Sequence, residues 1–329
     1  MFPCVDFSHT GWGPIRNVHQ NKENFQQKWS LRPILDYFTS QGGNFIDTAN
    51  NYQNEESENW LGEWMASRNN RDQIQSLQML QTTYIDLLYL HWWDYSVTIP
   101  ELMHSLNDLV VAGKVLYLGI SDSPAWVVAK ANQYARDHGL RQFVVYQGLW
   151  NASIRDFERD IIPMCRDEGM GLCPYGTLGQ GRFQTEVTFT EREMNNPGRK
   201  SKPVNEHDRK VSMVLERVAK AKGTEITSVA LAYVMHKTPY VFPIVGGRKV
   251  DHLKGNIAAL GISLSENDIK EIDDAYVFDP GFPHSFLSGT LFSDAPAEGA
   301  KCPGDVWLTK LMGNFDWVEA EKPIRPVQL

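Results

Sequence analysis

Phe45-Ile46-Asp47-Thr48-Ala49-Asn50-Asn51-Tyr52 closes a short apolar run on a carboxylate and sets a phenol on the loop just beyond it. Further along, Ile85-Asp86-Leu87-Leu88-Tyr89-Leu90-His91 is a second apolar run, with an imidazole at its carboxyl end. Working outward from these two, β-branched runs at 44–47, 85–91, 116–121, 143–147, 171–175 and 241–245 read as strands. Helical patterns lie between or beside them at 31–41, 55–67, 99–112, 124–137, 157–168, 208–221 and 226–237, then at 250–260 and 266–276. Such alternation favours a parallel sheet covered by helices. Ser123-Pro124 marks a helix start, because proline at the first helical position gives up no needed hydrogen bond.

From residue 85 onward, strand starts recur about every 27 to 31 residues, the length of one strand–helix unit. Between the starts at 44 and 85 lie about 40 residues, enough for one unit and too few for two. Arg71-Asp72-Gln73-Ile74 runs straight into Gln75-Ser76-Leu77-Gln78-Met79-Leu80, the remnant of a helix, where an eight-stranded barrel needs its third strand. A barrel short of one strand exposes two sheet edges. Either the strand order adapts there or the barrel is not well formed.

The chain has 329 residues, 42% hydrophobic and 22% charged, which predicts a globular protein with a sizeable core, long enough for one large barrel domain over 1–329 or for two ordinary domains. A net charge of −8 argues against a nucleic-acid partner, since phosphate binding needs a basic surface. No apolar run reaches the length of a membrane span, and no secretory leader is evident. Cys4, Cys165, Cys173 and Cys302 form no metal-spaced pair, so we expect no metal and read the cysteines as reduced thiols of a cytoplasmic protein. On that reading the sequon Asn151-Ala152-Ser153 is chance. The polar stretch 177–204 predicts a long loop over the cofactor face, and the aperiodic tail from 279 an irregular wrap of the barrel mouth.

Four further stretches sharpen the reading: Leu90-His91-Trp92-Trp93-Asp94-Tyr95, Gly113-Lys114-Val115-Leu116-Tyr117-Leu118-Gly119, Phe157-Glu158-Arg159-Asp160-Ile161-Ile162-Pro163, and Gly42-Gly43-Asn44 leading into Phe45. Together they resemble the aldo-keto reductases, most nearly the fungal branch of aryl-alcohol dehydrogenases and norsolorinic acid reductases, over roughly residues 41 to 283. The resemblance implies a (β/α)8 TIM-type barrel, here lacking the third strand and the N-terminal hairpin, with its site at the carboxyl ends of the strands. Residues 4–12 match the family's first strand poorly. The resemblance also implies NADP(H) as cofactor and a small carbonyl or alcohol substrate, hydrophobic or aromatic, within fungal secondary metabolism.

Carried over position by position, the resemblance makes Tyr52 the general acid, His91 the group that orients the carbonyl, and Asp47 the support of the relay beside the nicotinamide ribose. Ser121, Asp122 and Gln147 fall where the carboxamide is held, although asparagine is the commoner residue at 122. Tyr175 falls where the nicotinamide ring stacks, and Gly176 and Leu178 where the pyrophosphate lies. Gly246, Gly247, Arg248 and Lys249, with His252 and Asn256, resemble the grip on the adenosine 2′-phosphate, for which cations beside a helix start are suited. His252 stands for an expected arginine and Gly255 for an expected glutamate, which weakens that grip. Trp92 would line the substrate pocket.

Bland readings stand beside these. A lone carboxylate at a strand end also caps loops, a half-apolar histidine is also a core residue, and paired tryptophans are also plain packing. Gly176-Thr177-Leu178-Gly179-Gln180-Gly181 lacks the strand–turn–helix context of a dinucleotide fingerprint, and Arg248-Lys249 alone is a surface charge pair. The family's tyrosine works beside a lysine on the third strand, whose ammonium lowers the phenol pKa. No lysine occurs between Asp47 and His91. Two alternatives follow: a module that binds NADPH without turnover, or a chain missing an exon at Ile74–Gln75.

Overall fold

The computed structural model describes residues 31–50, 52, 56–68, 80–189, 204–247, 249–292, 305–313, 316–319 and 321–326, with the backbone of 4–6. They fall into two compact units, Met1–Gly148 with Phe242–Gly261, and Leu149–Val241 with Ile262–Leu329.

In the first unit, β1 (Cys4–Asp6) lies parallel between β2 (Ile46–Asp47) and β7 (Ile244–Val245), with Asp6 opposite Asp47 and Val5 opposite Val245. The first strand therefore forms despite its poor match in sequence. A second ladder joins β3 (Ile85–Leu90), β4 (Val115–Ser121) and the start of β5 (Phe143–Leu149), all parallel, with Tyr89 opposite Gly119 and Ser121 opposite Gln147. The Tyr89 ring occupies the space that a Cβ on Gly119 would need, 2.6 Å away, so glycine is required there. Among the described residues no ladder joins β2 to β3, and every residue of β3 is only half-buried. The segment 69–79, where the spacing predicts a lost strand, lies outside the described residues. The helix remnant expected before Leu80 lies outside the described residues.

Amphipathic spacing builds the core beside β2. Helix α1, residues 31–40, buries Leu31, Ile34, Leu35 and Phe38, one face at i, i+3, i+4 and i+7. Helix α2 (Ser57–Arg68) answers with Trp60, Leu61, Trp64 and Met65, and Leu80 and Leu253 complete the cluster. Helix α3 (Ile99–Val111) starts at Thr98, whose side chain accepts from the Glu101 N–H. Helix α4 (Ala125–Asp137) begins one residue later than predicted: Pro124 is its extended N-cap residue, not its first helical one. From α4 the buried Asn132 amide bonds both the N–H and the carbonyl of Phe143, fixing where β5 begins.

The second unit holds β6 (Gly171–Tyr175), α5 (Ile161–Asp167), α6 (Glu206–Lys222), α7 (Ile226–Met235) and α9 (Glu266–Asp273), while α8 (Val250–Ala258) belongs to the first. Two predicted elements are corrected. The helix expected at 157–168 breaks into a turn at Asp156–Glu158 and α5, because the Pro163 ring would clash with the Arg159 carbonyl in a continuous helix. The strand expected at 241–245 is interrupted by Pro243, which has no N–H to donate: Val241 bridges Leu172, and only Ile244–Val245 forms a strand. The loop expected at 177–204 is partly structured, with helical turns at 179–181 and 186–189 and with Phe183 and Phe189 buried; 190–203 lies outside the described residues. Among the described residues the tail carries the short helices α10 (His284–Leu287) and α11 (Trp307–Leu311), and Arg159 ties its start by donating to the carbonyls of Asp279 and Pro280.

A buried ionic cluster braces this unit. Lys237 Nζ lies 2.8 Å from Asp273 and 3.2 Å from Glu158, and Arg155 reaches Glu158 at 2.8 Å and Asp273 at 3.4 Å. Burial opposes the Glu158 charge, but Lys237 and Arg155 outweigh it and hold that carboxyl well below the usual range. Removing one partner strands the others in low dielectric. Lys237→Met is therefore expected to cost about 3–5 kcal/mol, read from the urea midpoint.

His236 is buried, and its Nδ1 accepts the Leu264 N–H at 3.4 Å, which requires the neutral ring. Burial, then Arg325, pulls its pKa down to about 4. The unfolded chain takes up this proton first, so the stability it supports is complete above about pH 6.5 and is lost as pH falls towards 4. Unfolding free energies of His236→Gln should show a shallower pH slope across that window than those of the parent.

Candidate active site

In the first unit, Asp47 closes β2 and Gln147 lies near the end of β5; both are buried, and Gln147 Nε2 donates to Asp47 Oδ1 at 3.1 Å. Tyr52 is half-buried on the turn after β2, where its N–H donates to the Ala49 carbonyl. His91 follows β3 directly. Its ring meets that of Tyr52 edge-on, with centroids 6.5 Å apart. On its other side it packs against Trp92 at 4.8 Å, and Trp92 is 55% exposed, open enough to meet a ligand. Trp93 keeps a buried indole N–H with no acceptor among the described residues. The structure thus gathers Asp47 with Gln147, and Tyr52 with His91 and Trp92.

The Ser121–Ser123 corner is held from β5. Asp122 adopts the left-handed region at φ 41°, which asparagine and aspartate tolerate better than most residues, and its N–H donates to the Gln147 carbonyl. Ser121 Oγ donates to Asp122 Oδ2 at 3.3 Å. The Tyr146 hydroxyl donates to the Ser123 carbonyl at 2.6 Å and accepts the Ser123 N–H at 3.0 Å. At the start of α8, Gly246 and Lys249 are exposed, and Lys249 is extended as the N-cap residue. His252, one turn in, lies against Gly247, where a Cβ would come within 3.1 Å of its own. Asn256 is buried, and Arg248 lies outside the described residues.

In the second unit, Tyr175 ends β6 half-buried, and Trp150 donates its N–H to the Tyr175 carbonyl. Gly176 and Gly179 take positive φ, 66° and 67°, and the Gly179 N–H closes a turn on the Gly176 carbonyl. Within that turn the N–H groups of Thr177 and Leu178 have no acceptor among the described residues, and neither has the buried Thr177 hydroxyl. Unsatisfied donors on a left-handed turn after a strand form a concavity suited to an anion. Sequence reasoning missed Thr177 and Asn151. Asn151 is fully buried and donates Nδ2 to the Gly176 carbonyl at 3.0 Å, so its sequon has no room for a glycan. Among the described residues no cluster suits a metal ion, and no helix is long and apolar enough to cross a membrane.

Residues 17–75 and 74–277 match the aldo/keto reductase family, in two segments that meet at Ile74–Gln75. The chain is 63% identical to norsolorinic acid reductase B of Dothistroma septosporum, over 94% of this chain and 88% of that one. That alignment runs over 344 residues, longer than the chain itself, so the relative holds positions with no counterpart here. Identity is 61% to norsolorinic acid reductase B of Aspergillus parasiticus, covering 89% and 86% of the two chains. It is 44% to the aryl-alcohol dehydrogenase [NADP(+)] of Phanerodontia chrysosporium, covering 89% and 85%. A crystal structure of a thermostable aldo-keto reductase with the inhibitor epalrestat is similar in fold at a TM-score of 0.62 and 21% identity, over 83% of this chain and 94% of that one. The fold class is accordingly α/β, of the (β/α)8 barrel type.

Tyr146→Phe leaves a buried N–H and a buried carbonyl of Ser123 without their partner. We expect a loss of about 1–3 kcal/mol in chemical denaturation, with weaker binding of any ligand that uses the Ser121–Asp122 corner.

Proposed function

The chain belongs to the aldo/keto reductase family, and on that premise we propose that it is an NADPH-dependent reductase of a hydrophobic aromatic or polycyclic aldehyde or ketone. The observation that carries the proposal is the placement of Tyr52, His91 and the Asp47–Gln147 pair at strand ends of one unit. The cofactor, when bound, supplies a hydride to the carbonyl carbon. Tyr52 gives its phenolic proton to the carbonyl oxygen, and His91 fixes that oxygen by hydrogen bonding. Asp47, held by Gln147, lies buried at the end of β2, five residues before Tyr52. Trp92 packs against the His91 ring and, being 55% exposed, supplies an apolar wall for an aromatic substrate.

The residues present suit the cofactor. The Gly176–Gly179 turn offers donors without acceptors for the pyrophosphate, and Gly246, Gly247 and Lys249 open the first turn of α8 for the 2′-phosphate. Arg248, His252 and Asn256 complete that grip by sequence position. Ser121, Asp122 and Gln147 hold the carboxamide, and Tyr175 stacks on the ring. We place the enzyme in the cytoplasm of a fungus, within secondary metabolism. The relatives bear the names of reductases and dehydrogenases, and nothing in them favours a module that binds without turnover.

Since no lysine lies between Asp47 and His91, the phenol works without an ammonium from that segment, and slow turnover on a reactive aromatic aldehyde is expected. Tyr52→Phe should lower the NADPH-dependent rate by roughly 10² to 10⁴, while quenching of tryptophan fluorescence by NADPH persists. Equal rates for parent and variant would refute the assignment of Tyr52.

A further inference from the structure

The turn Gly176–Gly179 is held at both ends by a ring of side chains, Asn151, Ser153 and Asp208 buried and Arg182 half-buried, that the proposed chemistry does not use. At one end, the Gly176 carbonyl accepts from Asn151 Nδ2 at 3.0 Å as well as from the Gly179 N–H at 2.9 Å. The Asn151 amide has only one workable orientation, because its Oδ1 accepts the N–H groups of Ser153 and Ile154 at 2.9 and 3.0 Å. Ser153 Oγ lies 3.1 Å from that Oδ1 and 3.0 Å from Asp208 Oδ1. One hydroxyl carries one proton, and the carboxylate is the stronger acceptor.

Asp208 is buried at the start of α6 and completes a capping box with Asn205 there. At the other end of the turn, the Gly179 carbonyl accepts from Arg182 Nε at 3.0 Å, and that same nitrogen lies 3.9 Å from Asp208 Oδ2. From α6, Ser212 donates to the Arg182 carbonyl at 3.4 Å. The ring therefore closes on itself: Gly176, Asn151, Ser153, Asp208, Arg182, Gly179. Both carbonyls of the turn point into this clasp. The Thr177 and Leu178 N–H groups and the Thr177 hydroxyl, in a residue 1% exposed, have no acceptor among the described residues.

We propose that Asn151, Ser153, Asp208 and Arg182 form a clasp that presets the Gly176–Gly179 turn to receive the diphosphate of the cofactor, with Asn151 its positioning residue. The inference rests on the cofactor reading above. Holding both carbonyls in hydrogen bonds removes the ordering that the turn would otherwise undergo on binding, so the clasp acts on affinity and not on the hydride step.

Asn151→Asp keeps the acceptor for Ser153 and Ile154 but sets an oxygen against the Gly176 carbonyl, which breaks the clasp at one atom. Ser153→Ala is the second variant, cutting the link to Asp208 if the first fails to fold. The full-length chain is titrated by tryptophan fluorescence with NADPH and, separately, with adenosine 2′-phosphate, which lacks the diphosphate. Asn151→Asp should weaken NADPH about tenfold, the worth of one buried hydrogen bond, with adenosine 2′-phosphate binding and saturated turnover within about twofold of the parent. NADPH binding unchanged in both variants, or both ligands weakened by the same factor, overturns the clasp. Absence of NADPH saturation in the parent instead removes the cofactor reading and the clasp with it.

Discussion

The Gln147–Asp47 hydrogen bond joins side chains one hundred residues apart and sits where two strands end. Parallel ladders make that meeting possible. Strands running one way bring their carboxyl ends to one rim, so residues scattered along the chain are delivered together by backbone register. Asp47 opposite Asp6, Ser121 opposite Gln147 and His91 one step past β3 are all set by that register before any side-chain contact forms. A slip of one residue in β5 would turn Gln147 to the other face and leave Asp47 without this donor.

Much of this was legible in the sequence because periodicity and strand-end chemistry are local signals. The β6 limits, the α3 start and the residues at each strand end follow from apolar runs bounded by polar ones. What was not legible depended on single residues acting at a distance. Pro163 breaks a helix through a clash with the Arg159 carbonyl four residues earlier, and Pro243 interrupts a run whose other residues are all strand-like. Asn151 is the sharper case. In the sequence it belongs to a sequon read as chance for want of an evident secretory leader, and its hold on the turn runs through a carbonyl twenty-five residues away. Thr177 was passed over because a glycine-rich string shows which residues bend the chain, not which donors are left unsatisfied by the bend.

The two units carry their polar groups differently. In the first, buried polar side chains mostly serve backbone: Asn132 starts β5, and Tyr146 holds the Ser123 corner. In the second, charges serve one another, with Lys237, Arg155, Glu158 and Asp273 compensating inside low dielectric and Asp208 shared between a helix cap and a turn. The first arrangement fixes conformation at modest energy. The second is exacting, since each ion there depends on all its partners remaining.

Among the described residues β3 has a ladder with β4 alone, and all six of its residues are half-buried. An edge of that kind offers its backbone groups to any extended chain that reaches it, a second unfolded copy of the same protein included.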